Sequence, residues 1–145
     1  MKFFNARVWI IIFGVMGLLG GSLNAIAAES IALDGWGDLN GQALDIAIAL
    51  EVAWGSILAV WGASVIVIAL SLKHPRGRAR FGAITVVAVL LSQGVAVGAL
   101  SNLSYGEGGG PGFAIAVPLI IAIITLISCI RDWNATTAST PEPAA

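Results

Sequence analysis

The charges of this chain fall in a few short clusters, and the stretches between them are long. Residues 8–28, 52–72, 81–106 and 108–130 carry no Asp, Glu, Lys or Arg at all. A helix rises about 1.5 Å per residue, so about 20 residues cross a hydrocarbon core about 30 Å thick. All four windows reach that length. Composition agrees: 58% of residues are hydrophobic, 10% are charged, and mean hydropathy is +0.95. A water-soluble domain carries about 25% charged residues. Disorder requires low hydrophobicity and high charge. Both classes are excluded.

The windows read as helices. Outer-membrane strands alternate polarity over about 10 residues, whereas residues 84–91 are apolar apart from Thr85. In lipid, a helix satisfies its own backbone. The sequence therefore predicts an all-α, polytopic bundle of four transmembrane helices, about 8–28, 46–72, 81–103 and 113–131. They form one domain over residues 1–135, followed by a disordered tail, 136–145, rich in small residues and proline.

The seven bases set an orientation. Lys2, Arg7, Lys73, Arg76, Arg78, Arg80 and Arg131 all fall on one side of a four-span chain. Glu29, Asp34, Asp38, Asp45 and Glu107 fall on the other, in two acidic loops. The positive-inside rule then puts both termini in the cytoplasm. Trp9, Phe81 and Trp133 fall near the inner interface, and Trp36 and Tyr105 near the outer one. The pattern is compatible with a bacterial inner membrane. Residues 1–28 also read as a signal peptide, with Lys2 and Arg7 before an apolar run and Ala25-Ile26-Ala27 as a small-x-small cleavage site. Cleavage there would leave three spans.

Two polar side chains are candidates for an ion or proton site. Glu51 stands one residue before the second window, between apolar Leu50 and Val52, and an ionisable residue inside a span is a functional candidate. The window alone is long enough to cross, so Glu51 also reads as a carboxylate at the outer boundary, solvated or bonded to a neighbour. Asp45, six residues earlier, lies on another face. Gln93 is near the middle of the third window. Its amide needs a partner in lipid and reads either as interhelical glue or as a pore-lining group.

Small residues form stripes. Gly14, Gly17, Gly21, Asn24 and Ala28 recur at helical steps on the first helix. The second carries Gly55, Ala59 and Gly62, and the third Gly94 and Gly98. Such residues let helix backbones approach closely in lipid. Trp54 and Trp61, a heptad apart, are expected against a neighbouring helix or lipid. Pro118 interrupts the fourth helix and predicts curvature.

The stretch KHPRGRAR at 73–80 reads as a basic loop that fixes topology. Its Lys73, Arg76, Arg78 and Arg80 are candidates for binding anionic lipid head groups. His74 has no second ligand nearby, so no metal is expected. GEGGGPG at 106–112 lacks the Gly-Lys-Ser/Thr ending of a phosphate loop and reads as a flexible turn. Cys129 reads as a buried thiol rather than a lipidation site. The sequons at Asn102 and Asn134 are discounted, the first for its closeness to the membrane and the second for its cytoplasmic side.

No catalytic set is present: no Ser-His-Asp arrangement, no metal cluster, and one histidine. The expected function is that of a non-enzymatic structural or accessory membrane subunit. Its expected partners are membrane lipids and either copies of itself or other membrane subunits, with no cofactor and no nucleic acid. A small oligomeric channel or proton-coupled transporter using Glu51 is the first alternative. A signal-processed, membrane-stored subunit of a pilus or filament is the second.

Overall fold

A computed structural model describes residues 4–36, 39–102 and 112–138. It is helical throughout, with α1 (Ala6–Ile26), α2 (Ala28–Trp36), α3 (Gly41–Ser71), α4 (Pro75–Asn102) and α5 (Gly112–Ala138). Four of these, α1, α3, α4 and α5, are long and apolar enough to cross a membrane. The fold is a polytopic bundle with four spans, as the charge-free windows require.

The element boundaries differ from the sequence reading in physically informative ways. The expected outer loop after α1 is the nine-residue helix α2. The chain bends at Ala27, whose N–H still donates to the Leu23 carbonyl while its own carbonyl accepts from the Ile31 N–H. Helical bonding is thus handed across the bend. Glu29 lies in the first turn of α2, where the helix dipole favours an anion. Ala28 and Ala32, one turn apart, are its buried residues.

α3 starts at Gly41 rather than near residue 46 and runs 31 residues. Gly41 has φ +55°, a left-handed value that glycine adopts at little cost. α4 begins at Pro75, so most of the expected basic loop is helix. Proline suits the first helical position, where no backbone donor is needed, and the Arg78 N–H makes the first bond, to the His74 carbonyl. α5 runs through Pro118 and on to Ala138, so residues 136–138 of the expected tail are helical. Residues 139–145 and most of GEGGGPG lie outside the described residues.

Contacts place α1 at the centre. It packs most extensively on α3 and then on α5; α4 packs mainly on α5, and α2 lies on α3. α3 and α4 are neighbours in sequence yet barely meet. One core cluster joins Ala6 and Ile10 of α1, Val65 and Ala69 of α3 and Cys129 of α5. A second joins Phe13, Val86 and Ala122. Few large side chains are enclosed. Leu19, Leu23, Ile57, Val60 and Leu91 are among many aliphatic residues more than half exposed. In water such a surface would drive aggregation; in a bilayer it meets a solvent as apolar as itself.

The α1 N-terminus is secured twice. The Asn5 side chain accepts from the Arg7 N–H at 2.9 Å, and Asp132 Oδ2 of α5 accepts from the Ala6 N–H at 2.9 Å. Both acceptors use donors that an α-helix leaves open at its start. The second also pins α1 to α5.

Candidate functional site

The α1–α3 seam is built backbone to backbone. A methyl group added at Gly21 would stand 2.5 Å from the Gly55 carbonyl oxygen and 2.9 Å from the Leu58 carbonyl carbon. One added at Gly55 would lie 2.6 Å from the Gly21 oxygen and from the Ala25 nitrogen. At Gly62 it would meet the Gly14 oxygen at 2.5 Å. These glycines therefore hold the two helices at a separation no other residue permits. Gly14 faces Gly62 and Ile66, and Gly17 lies under the Trp61 ring. Trp61 also meets Phe13 edge to face, with ring centroids 5.3 Å apart at 88°, the geometry that aromatic quadrupoles favour. Trp54, 47% exposed, faces outward.

At the outer end of this seam three elements converge on Glu51. Asn24 of α1 donates from Nδ2 to Glu51 Oε2 at 2.9 Å and to the Glu51 carbonyl at 3.0 Å. Trp36, the last residue of α2, donates from Nε1 to Glu51 Oε1 at 2.9 Å. Each carboxylate oxygen thus has a protein donor. From Glu51 to the end of α3 at Ser71 the helix rises about 30 Å, and ten residues of α3 precede Glu51. Glu51 is bonded to neighbours on two other helices, α1 and α2. The sequence marks Asn24 as a polar member of the small-residue stripe, at or near membrane depth, and Trp36 as an interfacial aromatic. Their convergence was invisible because it depends on the bend at Ala27.

The other candidates lie elsewhere. Gln93 is exposed on α4 and has no hydrogen-bond partner among the described residues. Gly94 and Gly98 do not join a seam within this chain: a methyl group at either would meet nothing within 4 Å. The close approach that α4 does make is at Gly82, where a methyl group would lie 2.6 Å from Cys129 Sγ and 2.5 Å from Ile10 Cδ1. Sequence reasoning passed over Gly82 because no second glycine stands four residues away.

At the opposite end, the Thr125 hydroxyl shares its one proton between the Ile121 carbonyl at 2.7 Å and the Trp9 carbonyl at 3.2 Å, joining α5 to α1. Ser128 Oγ is buried with no partner. The bases gather here. The Arg80 guanidinium carbon is 4.9 Å from the Trp133 ring centroid, and Arg131 lies over Phe4 at 6.0 Å. Arg78 Nη2 donates to the Lys73 carbonyl at 3.2 Å. No group of three or more His, Cys, Asp or Glu side chains able to hold a metal occurs among the described residues.

No protein-family model, curated protein or solved structure matches this chain.

Proposed function

We propose that this chain is a non-enzymatic integral membrane subunit that acts structurally, by helix packing within an oligomer or a larger membrane complex. The observation that carries the reading is the use made of its polar and small residues. Gly14, Gly17, Gly21, Gly55 and Gly62 serve helix contact, and both Glu51 oxygens are taken by Asn24 and Trp36. Glu51, one of the two candidate ion or proton groups, is thereby committed to holding helices together. The positive-inside rule adds an orientation: the basic end, with both chain termini, faces the cytoplasm, as in a bacterial inner membrane.

The test is intact mass in mild detergent, native and then denatured. Full-length chain carrying partners or copies in fixed ratio is the expected result. The reading is overturned by ion or proton flux in proteoliposomes that Glu51→Gln abolishes. It is also overturned by a mature chain beginning near Ala28 that assembles into filaments.

A further inference from the structure

The surface of α4 combines two guanidinium groups with an apolar strip directly beneath them. Arg76 and Arg80 are four residues apart, so they lie on one side of the helix, about 6 Å from each other at Cβ. Ile84, Val87 and Leu91 continue the same line at steps of four, three and four. They are 68%, 43% and 65% exposed. The bases stand at the start of α4, at the edge of its apolar span, and the strip runs into the span.

Arg76 and Arg80 make no ion pair with a described carboxylate. Arg76 Nε is shielded from solvent and has no acceptor. Arg80 rests against Trp133, a ring suited to the head-group level. The acid at this end of α5, Asp132, accepts the Ala6 N–H. Gly77, between the two bases, leaves the approach open: a methyl group there would meet only His74 Cβ, at 4.0 Å. The first turn of α4 adds the favourable end of its dipole.

We infer that this face of α4 binds an anionic phospholipid, its phosphate held between Arg76 and Arg80 and one acyl chain lying along Ile84, Val87 and Leu91. Guanidinium groups match phosphate with paired, charge-assisted hydrogen bonds. A soluble phosphate would use the two bases and ignore the strip; a lipid uses both. Lys73 and Arg78 lie off this line and contribute general attraction to the surface.

The inference rests on the membrane-spanning fold and stands whether or not the chain belongs to a larger complex. The experiment is native mass spectrometry of the full chain titrated with phosphatidylglycerol or phosphatidylcholine of identical acyl chains. Phosphatidylglycerol is expected to be retained about tenfold more. Arg76→Gln with Arg80→Gln should reduce its retention to the phosphatidylcholine level. Lys73→Gln with Arg78→Gln should leave most of it. Equal retention of the two lipids by the unaltered chain overturns the inference and requires no variant to fold. Unchanged retention in the Arg76/Arg80 variant overturns it too. Displacement of the lipid by equimolar inorganic phosphate would show a soluble-anion site and overturn the lipid assignment.

Discussion

At Gly21 the obstacle to any side chain is main chain, the Gly55 carbonyl oxygen and the Leu58 carbonyl carbon, which cannot rotate aside as a flexible side chain could. Gly21→Ala should therefore lower stability by about 1–3 kcal/mol, the usual cost of overpacking a tight contact. Gly20, on the next position, has open space around it. Gly20→Ala should leave stability unchanged or raise it, since alanine is the better helix former. Reversible unfolding in mixed micelles separates the two, and an equal loss in both variants would refute the seam. The Glu51 cluster gives a second test. In a double-mutant cycle, Asn24→Ala and Glu51→Ala should couple by about 0.5–2 kcal/mol, as hydrogen bonds between membrane helices do. Additive effects would mean that the bonds contribute nothing. The seam glycines of α1 and α3 were legible in the sequence because period and residue size suffice to find them. Glu51's donors were not, since their meeting depends on a bend and on a second helix folding back.

Among whole elements, α5 carries two buried hydroxyl residues in opposite situations. Thr125 bonds the Trp9 carbonyl across the interface as well as its own helix, whereas Ser128 is buried with Oγ unpartnered. Replacing an unsatisfied polar group by an apolar one of similar shape is neutral or favourable. Ser128→Ala should therefore hold or raise stability, and Thr125→Val should lower it by about 1 kcal/mol; the reverse order in the same unfolding assay would sink this account. Helix α2 is held differently, by buried Ala28 and Ala32 and by the Trp36 indole on Glu51. Trp36→Phe keeps the ring but removes the donor. Amide exchange should then quicken across residues 28–36 while α3 stays protected. The sequence hid α2 because Glu29, Asp34 and its glycine content read as a loop; only the Ala28/Ala32 spacing marked a helix. It hid the start of α4 for a related reason. Charge was read as loop, although Pro75 signalled a first helical turn.

For the molecule as a whole, the number of spans follows from charge spacing, but their arrangement does not. Four apolar helices can be set side by side in several orders with similar lipid exposure, and hydrophobicity alone cannot choose among them. Here the choice is made by close contacts. Glycine matching brings α1 onto α3, and Gly82 brings α4 onto Cys129 and Ile10, so α1 touches every other helix. The single cysteine reports this order. Cys129 belongs to α5, is fully buried, and shares a core cluster with Ala6 and Ile10 of α1 and Val65 and Ala69 of α3, with Gly82 of α4 close against its sulfur. α4 or α1 must therefore move off α5, at least locally, before a maleimide reaches its sulfur. An opening that costs about 3 kcal/mol slows labelling about a hundredfold relative to the unfolded chain. The expected result is slow labelling in mild detergent and fast labelling in denaturant. Gly82→Leu, which drives α4 away from α5, should speed it in mild detergent while far-UV helicity is retained. Rapid labelling of the unaltered, folded chain would place Cys129 on the surface. It would require a different order of helices with the same four spans.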